Sequence, residues 1–470
     1  MSVLPIRFGT DGWRGVIARE FTFENVRRVA QATADHFRTV REGEDTLLVG
    51  FDVRFLSLRF AEAAAGVLSG NGFRVLLLDR VCPTPYVSFA VRHLNLRGGA
   101  VITASHNPPE FNGFKVKAHY GGSATTEITS RIEAMLDRSA IAPDGRFERV
   151  APPEEYFEHL RSLVDWPAIR QSGLIVCADS MHGSGGTLLE EMLRNTTCTV
   201  YTIRSRPDPL FGGVSPEPMM PWLEPLSSAV TSRSAAVGLA TDGDGDRLGV
   251  VAEDGRFMST LEVLPLLLLH VYRNRGWRGA VAHTFSQSQI IARICGALGL
   301  DTHETPIGFK YIANLMLQDE ILIGGEESGG IGLSRHLPER DGLFLHLLVL
   351  DMLAATGKSL TGLLREMWAE FGEFHYERRD LHLPLEASRQ LIVELGDRPP
   401  QDIANQSVHG IQTLDGVKLL LEGDAWILFR RSGTEPVLRI YCEAPTAART
   451  REILSGGIRF VEQFAPSGVS

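Results

Sequence analysis

Short apolar runs alternate with longer segments of helical period along most of the chain. A strand buried on both faces reads as a continuous apolar run, whereas a covering helix repeats its apolar residues every three to four positions. This alternation therefore predicts mostly parallel sheets covered by helices. The predicted strands are residues 47–51, 73–78, the run leading into Ser105, 173–178, 235–240, 280–284, 300–304 and 321–323. The predicted helices are residues 23–39, 58–69, 261–272, 289–298, 343–355 and 360–371, with others after Pro85, near Thr187 and near Phe309.

The last part of the chain has a different pattern, with antiparallel character. Its strands are predicted at residues 416–421, 425–429 and 438–442, ahead of a closing helix at 446–464. The earlier pattern restarts after the polar, proline-containing stretch 142–153 and again near Gly255. We therefore expect three tandem α/β domains with mixed, mostly parallel sheets and a C-terminal α+β domain. Their predicted bounds are 1–147, 148–253, 254–373 and 374–470.

The net charge of the chain restricts the kinds of molecule that it is expected to bind. With 47 lysine and arginine residues against 57 aspartate and glutamate residues, the formal net charge is −10. Nucleic acid is not expected as the main partner, because no basic excess exists to neutralise a phosphate backbone. Small anions can still bind where the cations gather in one cleft.

The cysteines and the apolar runs indicate the cellular compartment in which we expect the protein. Five scattered cysteines without a CxxC pair argue against zinc and a disulfide framework, and favour a reducing compartment. The most apolar run, 261–271, contains Glu262, Pro265 and His270 and is shorter than the roughly 20 residues that span a bilayer. The N-terminus has no apolar signal-peptide core. We expect a cytoplasmic protein without membrane association, either a monomer or a homodimer.

A serine stands where an open α/β sheet places its ligands. The β-branched run 101–103 leads into Ser105, His106 and Asn107, and two prolines then prevent continuation as strand or helix. The pair Asn112-Gly113 predicts a turn, after which Lys115 returns toward the serine. Taken alone, the segment favours an ordinary strand-to-loop exit with a serine cap over a ligand site.

The strongest chemical signal is the segment DGDGDR at residues 242–247. Three carboxylates at alternate positions, Asp242, Asp244 and Asp246, suit a hard divalent cation such as Mg²⁺. An EF-hand is excluded, since Arg247 occupies the position that needs glycine and a strand-like run precedes the loop. We favour a Mg²⁺ site completed by a phosphate oxygen over a solvated acidic turn.

Four glycine-containing loops are weaker signals. The opening FGTDGWRG has Arg14 as its only cation and is either a plain turn or a loop that directs this arginine at a phosphate. Residues 183–186 lack the lysine of a P-loop and predict a tight turn. The segment GGEESGG offers carboxylate acceptors for sugar hydroxyls or caps a helix, and RRSGTEP, at residues 430–436, forms a phosphate cradle or a hairpin turn.

Taken together, these segments resemble the α-D-phosphohexomutase superfamily, of the phosphoglucomutase/phosphomannomutase type. TASHNP, DGDGDR, GGEESGG and RRSGTEP stand at residues 103–108, 242–247, 324–330 and 430–436, in that family's order and spacing. The opening FGTDGWRG also resembles the family's N-terminal loop. The resemblance covers essentially the whole chain and implies four domains around a central cleft, which bear in turn the phosphoserine, the metal, the sugar site and a phosphate site.

The resemblance also implies roles for single residues. Ser105 is the implied phosphoryl donor and acceptor, carried as phosphoserine, and one of its oxygens would complete a Mg²⁺ site formed by Asp242, Asp244 and Asp246. Glu326 and Ser328 match the family's sugar loop. The residues that match its distal phosphate loop are Arg430, Ser432, Gly433 and Thr434. The cations that match its remaining active-site positions are Arg14, Lys115 and Arg247.

The implied reaction moves a phosphoryl group twice. Phosphoserine gives its group to a hexose phosphate, a hexose 1,6-bisphosphate turns over in the cleft, and the other phosphate returns to Ser105. Glucose 1,6-bisphosphate would then act as an activator. Arginine is excluded as general base because it keeps its proton. Lys310, in the segment TPIGFKY, is the base we nominate, ahead of His106.

The substrate is less closely defined by these motifs. GEESGG resembles phosphoglucomutase-type members, and Gly330 stands where other branches carry a histidine. Glucose phosphates are therefore the favoured substrates and mannose phosphates the next. The RSGTEP segment is shared with phosphoglucosamine mutases, so that function stays open.

Three other functions are compatible with parts of the pattern. A glucose 1,6-bisphosphate synthase would need the same residues, and only its products would distinguish it. A non-enzymatic sugar-phosphate binder is disfavoured because Ser105 and the three aspartates are all present. A serine hydrolase is disfavoured because no GxSxG elbow surrounds Ser105.

Overall fold

The structure, a computed structural model, describes residues 6–9, 12–432 and 436–464. By their internal contacts they divide into two units: unit 1 comprises Met1–Ala282 and Gly308–Leu363, and unit 2 comprises His283–Ile307 and Leu364–Ser470. No single helix among the described residues is both long and apolar enough to cross a lipid bilayer.

The first part of unit 1 is a seven-stranded sheet with helices on its faces. Its elements are β1 (Phe8–Gly9), β2 (Gly12–Val16), α1 (Phe23–Phe37), β3 (Glu44–Phe51), α2 (Ser57–Gly70), β4 (Arg74–Leu78), α3 (Thr84–His93), β5 (Leu96–Ile102), β6 (Phe111–Ala118), α4 (Thr126–Met135) and β7 (Glu148–Val150). The strand order is β1-β2-β6-β5-β3-β4-β7. Strands β5, β3, β4 and β7 run parallel, whereas β1, β2 and β6 pair antiparallel. Because β7 joins this sheet, the sheet extends past residue 147.

Two local predictions in this sheet need correction. The pair Asn112-Gly113 lies inside β6 rather than in a turn, so that prediction is wrong. The Asn112 amide is buried and donates to the Ser57 hydroxyl at 2.9 Å, which satisfies a residue that otherwise favours turns. The opening segment, read as a loop, contains strands β1 and β2.

The second sheet has five strands and carries the acidic segment at one end. Its elements are α5 (Glu155–Ser162), α6 (Trp166–Gln171), β8 (Ile175–Asp179), α7 (Leu188–Leu193), β9 (Thr199–Ile203), a 3₁₀ turn (Phe211–Gly213), α8 (Glu224–Arg233), β10 (Val237–Ala240), β11 (Gly249–Ala252) and β12 (Phe257–Met258). The strand order is β12-β11-β10-β8-β9, with β10, β8 and β9 parallel. Strands β10 and β11 pair antiparallel, and residues 241–248 connect them.

The third segment resumes the strand–helix alternation. Its elements are α9 (Thr260–Arg273), β13 (Ala280–Thr284), α10 (Ile290–Leu298), β14 (Thr302–Thr305), α11 (Phe309–Met316), β15 (Ile321–Gly325), β16 (Ile331–Gly332), α12 (Gly342–Thr356) and α13 (Leu360–Phe371). Strands β15 and β16 pair antiparallel in unit 1 and hold the loop 326–330 between them. Elements α10 and β14 belong to unit 2.

The remainder of unit 2 is an antiparallel sheet with helices against it. Its elements are β17 (His375–His382), α14 (Leu385–Asp397), β18 (Asp402–Ile403), β19 (Gln406–Gln412), β20 (Val417–Leu421), β21 (Ala425–Arg431), β22 (Val437–Ala444) and α15 (Ala447–Phe464). The strand order is β17-β22-β21-β20-β19-β18. Its core includes Leu391, Ile427, Ile440 and Ile453. The predicted fold class, three α/β domains and a C-terminal α+β domain, is confirmed.

We predict that two glycine-to-alanine substitutions change thermal stability in opposite directions. Gly296 lies inside α10, and nothing lies within 4 Å of the place where an alanine Cβ would stand. Since glycine destabilises a helix by roughly 0.5–1 kcal/mol relative to alanine, Gly296→Ala should raise the unfolding temperature. Gly70 ends α2, and a Cβ there would stand 1.8 Å from the Pro143 carbonyl oxygen. The resulting overpacking should cost about 1–3 kcal/mol.

Calorimetry of the two full-length variants checks this pair. A lower unfolding temperature for Gly296→Ala, or an unchanged one for Gly70→Ala, would contradict the packing described.

Candidate active site

Ser105 is buried just beyond the end of β5, in a strained backbone conformation. Its φ is 54°, in the left-handed region that a residue with a side chain rarely adopts. The backbone N–H of Ser105 donates to the Thr103 hydroxyl at 2.9 Å, and its Oγ donates to Asp242 Oδ2 at 2.7 Å. The strand exit therefore directs the serine hydroxyl at the acidic segment.

The acidic segment connects β10 to β11 and gathers three buried carboxylates. One ligand oxygen from each of Asp242, Asp244 and Asp246 lies within 4.8 Å of the others. Asp242 Oδ1 accepts the backbone N–H groups of Asp246 and Arg247 at 2.9 and 3.1 Å, so the loop itself fixes this side chain. Asp244 Oδ2 accepts the Thr84 hydroxyl at 2.6 Å.

Two buried cations from other segments neutralise part of this charge. Lys115, on β6, places Nζ 2.9 Å from Asp244 Oδ2 and 3.0 Å from Asp246 Oδ2. Arg340, which lies between β16 and α12, donates from Nη2 to Asp246 Oδ2 at 2.8 Å. Lys115 and Arg340 thus offset part of the negative charge of these buried carboxylates.

The remaining oxygens fit a divalent cation. Asp244 Oδ1 and Asp246 Oδ1 are buried and have no hydrogen-bond partner within the described part of the chain. Buried polar atoms in native proteins are normally paired, and two orphaned carboxylate oxygens in one cluster suit a hard cation such as Mg²⁺. The residues present therefore fit the metal that the motif implies.

The carboxylates differ in their protonation behaviour. Burial, with the charges of Asp246 and Asp244, raises the pKa of Asp242 well above its ordinary value. Burial also acts to raise the pKa of Asp244, but Lys115 and the Thr84 hydroxyl outweigh it and hold that pKa below its ordinary value. Lys115 is therefore the group that keeps Asp244 ionised.

His106 and Arg247 complete the surroundings of the serine. His106 Nδ1 lies 3.4 Å from Ser105 Oγ, and its Nε2 lies 3.4 Å from Arg247 Nη2. Since an arginine only donates, Nε2 is the acceptor, and a neutral His106 then carries its proton on Nδ1, toward the serine. Burial and the charges of Arg247 and Arg14 lower the pKa of His106 well below its ordinary value. This histidine is therefore neutral near pH 7.

Arg247 also holds the loop between β15 and β16. Its Nη1 donates to the Ser328 carbonyl at 3.3 Å and to Glu217 Oε1 at 3.1 Å. Arg14 donates to the Asn107 side-chain oxygen at 2.6 Å. Two of the predicted arginines are thus linked to the segments that carry Ser105 and Ser328.

A cavity opens beside these residues in unit 1. Its charged wall residues are the cations Arg14, Arg247, Lys310 and Arg340 and the carboxylates Glu326 and Glu339. Three of these charges are paired with side chains behind the wall: Arg340 with Asp246, Arg247 with Glu217 and Glu339 with Lys117. Burial raises the pKa of Glu326, and the neighbouring Arg340 and Arg247 oppose that effect. The cavity suits a ligand that carries negative charge.

Lys310 stands at the start of α11 and lines this cavity. Its side chain is half-buried, with Nζ 5.1 Å from the centre of the Tyr311 ring. Unit 1 therefore brings together Arg14, Ser105, His106, Lys115, the three aspartates, Arg247, Lys310, Glu326 and Ser328.

The predicted phosphate loop belongs to unit 2. Arg430 lies near the end of β21, and its Nε is 3.0 Å from Asp415 Oδ2. Ser432 is buried, and its backbone N–H donates to the Val437 carbonyl at 2.8 Å. Gly433 and Thr434 lie outside the described residues.

Three charged residues of this site were missed by the sequence reasoning. Lys117 Nζ lies 2.5 Å from Glu339 Oε2, and both side chains are buried. Glu339 stands beside Arg340 at the cavity wall. Lys115 and Lys117 are two positions apart in β6 and therefore lie on the same face of the strand. Recognising the segment as a strand would have indicated a second buried lysine at position 117.

Arg340 reaches the site because position 330 has no side chain. A Cβ on Gly330 would stand 2.6 Å from Arg340 Cδ and 3.0 Å from Glu326 Oε2. The glycine noted in the sequence therefore leaves room for the arginine.

Glycines also let three backbone segments stack without side chains between them. A Cβ on Gly243 would stand 2.6 Å from the Ser105 carbonyl oxygen, and one on Gly183 would stand 2.7 Å from the Gly243 carbonyl oxygen. The Ser184 backbone N–H and hydroxyl both donate to that Gly243 oxygen, at 3.0 and 3.1 Å. The glycine loop 183–186 thus supports the acidic segment as a tight turn.

Four protein-family models together match most of the chain. The four models describe Phosphoglucomutase/phosphomannomutase, with alpha/beta/alpha domain I at residues 5–141, domain II at 154–255, domain III at 262–371 and the C-terminal domain at 402–455.

Individual relatives match over nearly their whole length. A Thermococcus kodakarensis protein named phosphoglucomutase/phosphomannomutase is 31% identical, with 97% of this chain and 98% of the relative covered. A Methanopyrus kandleri protein, provisionally named phosphoglucosamine mutase, is 30% identical, with 95% of each covered. The crystal structure of a Thermus thermophilus protein, provisionally described as a phosphomannomutase, has a TM-score of 0.88 and 40% identity, with 98% of this chain and 99% of that one covered.

We predict that Mg²⁺ compensates for the loss of Lys115 but not of Lys117. Lys115→Met leaves the aspartates with one fewer cation, and breaking a buried pair typically costs about 3–5 kcal/mol. Mg²⁺ can neutralise those aspartates, so the fall in unfolding temperature should be larger in EDTA than in saturating Mg²⁺.

Lys117→Met is the matched control, because Lys117 is equally buried on the same strand but faces Glu339 and Ser123. Its destabilisation should be the same in EDTA and in Mg²⁺. Equal recovery of the two variants in Mg²⁺ would place the metal elsewhere.

Proposed function

Because the chain belongs to the phosphoglucomutase/phosphomannomutase family, as its four motifs predict, we propose that it interconverts hexose 1-phosphates and hexose 6-phosphates, with glucose preferred and mannose accepted. Members of this family are isomerases that move a phosphoryl group within a sugar, and this chain is an enzyme of that kind. The observation that carries the proposal is the 2.7 Å contact between Ser105 Oγ and Asp242 in a buried cluster with Lys115.

The proposed cycle uses Ser105 twice. In the first transfer the phosphoryl group leaves Oγ of phosphorylated Ser105 and bonds to a sugar hydroxyl oxygen, whose proton passes to a base. In the second, Oγ accepts the other phosphoryl group of the resulting hexose 1,6-bisphosphate, and the freed sugar oxygen regains a proton. Glucose 1,6-bisphosphate added from outside would phosphorylate Ser105 and so act as an activator.

Charge neutralisation and positioning are what such a transfer requires of a protein. Mg²⁺ held by Asp242, Asp244, Asp246 and a phosphoserine oxygen would neutralise charge on the transferred group. Lys115 fixes two of those carboxylates, His106 lies beside the serine, and Arg247 contacts His106. Arg430, Ser432, Gly433 and Thr434 are assigned to the substrate's other phosphate on the strength of the motif alone.

Lys310 is the base that we propose for the sugar hydroxyl. It lines the cavity with Glu326 and Ser328, to which we assign the sugar hydroxyls. His106 is less suited, because its Nε2 faces Arg247 and its Nδ1 then bears a proton toward Ser105. The arginines of the cavity keep their protons and bind without accepting one.

The GEESGG segment, which resembles that of phosphoglucomutase-type members, supports glucose and mannose phosphates over an aminosugar phosphate. The alternative, phosphoglucosamine mutase, is supported by the shared RSGTEP segment and by the name of the Methanopyrus kandleri relative.

We predict mutase turnover with Mg²⁺ and a trace of glucose 1,6-bisphosphate. Among 1-phosphates, glucose should give the highest kcat/KM, mannose the next, and glucosamine a value at least tenfold lower than glucose. EDTA and Ser105→Ala should each abolish conversion, as measured by the appearance of the 6-phosphate. Faster turnover of glucosamine 1-phosphate would replace the proposed substrate. Bisphosphate accumulating without isomerisation would instead indicate a synthase.

We predict that Lys310→Ala lowers kcat by about 10²–10⁴-fold, the usual contribution of a positioned base. The KM for the hexose phosphate should change less, because Arg14, Arg247 and Arg340 still line the cavity. Steady-state kinetics test this, with Lys358→Ala, at an exposed lysine before α13, as the control. Near-normal turnover of Lys310→Ala would rule the lysine out as the base.

A further inference from the structure

Arg54 is a fully buried arginine whose hydrogen bonds converge on the segment that carries Ser105. Its Nη2 donates to the carbonyl oxygens of Ser105 and Asn107 at 2.7 and 2.5 Å. Its Nη1 donates to those of Pro108 and Phe111 at 2.7 and 2.9 Å. One guanidinium group thus binds four backbone carbonyls of residues 105–111.

The charge of Arg54 is balanced within the protein. Its Nε lies 3.2 Å from Asp52 Oδ2, and both side chains are fully buried. Asp52 Oδ1 accepts the Arg54 backbone N–H at 2.9 Å and the Ser57 hydroxyl at 2.7 Å. The Phe211 ring covers the guanidinium at 4.8 Å. Because Arg54 is enclosed and paired, it does not bind a substrate phosphate.

The segment that carries Ser105 needs hydrogen-bond donors from a side chain, because most of its residues lack the regular backbone hydrogen bonds of a helix or strand. Residues 103–110 form no helix or strand, and Ser105 is held in the left-handed region. A buried carbonyl without a partner is costly, so four donors on one side direct these carbonyls toward Arg54. The Ser105 hydroxyl then faces Asp242, and the Asn107 side chain accepts from Arg14.

We propose that Arg54 is a positioning residue for phosphoryl transfer, which holds Ser105 in line with the aspartates and sets the place of Arg14 through Asn107. The inference rests on the proposed phosphoserine function of Ser105. Since Oγ acts as donor and acceptor in the same cycle, the position of the loop governs both transfers. A displacement of the order of 1 Å is enough to cost about 100-fold in rate.

The test compares Arg54→Lys with Arg59→Lys. A lysine offers its three donors from one atom and does not span four carbonyls. Arg59 lies close by on α2, is exposed and pairs with Glu62 at the surface, so its substitution controls for the loss of a guanidinium. Arg54→Lys should fold, keep its KM within about threefold and lose about 100-fold in kcat, while Arg59→Lys behaves as wild type.

Two further readouts report on the loop itself, and the second needs no phosphoryl transfer. After phosphorylation of Ser105 by glucose 1,6-bisphosphate, the ³¹P resonance of the phosphoserine should shift and broaden in Arg54→Lys. Amide hydrogen exchange of residues 104–111 should rise at least tenfold in that variant and stay unchanged in Arg59→Lys.

The outcomes separate this inference from the proposed function. A kcat within twofold of wild type, or a loss confined to KM, overturns the positioning role. If the wild type has no mutase activity, the proposed function fails, and the exchange of residues 104–111 still decides whether Arg54 holds the loop.

A second variant covers a failure of Arg54→Lys to fold. Asp52→Asn keeps the four carbonyl acceptors of Arg54 but removes the negative charge that faces Nε at 3.2 Å, so kcat should fall by a smaller factor, about tenfold, with KM unchanged. An unchanged kcat in Asp52→Asn, with Arg54→Lys unfolded, would also overturn the positioning role and leave Arg54 as a structural residue.

Discussion

The concentration of three carboxylates in a buried place is the constraint on which the rest of unit 1 depends. Repulsion among Asp242, Asp244 and Asp246 has to be offset, since several kcal/mol would otherwise oppose folding. The protein offsets it with groups from separate parts of the chain: Lys115 from β6, Arg340 ahead of α12, and the loop's own backbone N–H groups on Asp242. The acidic loop, the first sheet and the segment ahead of α12 are thereby tied to one electrostatic centre.

Much of the fold could be predicted from the sequence, for a physical reason. Buried parallel strands and their covering helices leave distinct apolar periods, and those periods were readable for β3, β4, α9 and α13. Strands β1, β2 and β6 were not recognised, because glycine and asparagine in them resemble turn signals. In β6 these residues fit since Asn112 is satisfied by Ser57 and Gly113 packs against neighbouring backbone.

The candidate site was predictable where its chemistry is local in sequence. The alternating aspartates and the serine after a strand each indicate their surroundings from a few residues. Arg54, Lys117 and Arg340 could not be found in that way, because their partners lie 50 to more than 200 positions away. The role of Arg54 could not be predicted for a second reason. It binds backbone carbonyls, which every residue has, so no residue type in the sequence indicates the contact. Only the fold shows why Gly330 is compatible with Arg340.

The stacked backbone of Gly183, Gly243 and Ser105 has a consequence for how this enzyme can change over generations. Two of the three layers carry no side chain, so the separation between Ser105 and the acidic loop is set by the thickness of the main chain. Residues around the cavity can then be exchanged while the distance between Ser105 and the acidic loop stays constant. The chain can therefore vary its cavity without disturbing this spacing, provided that these glycines are kept.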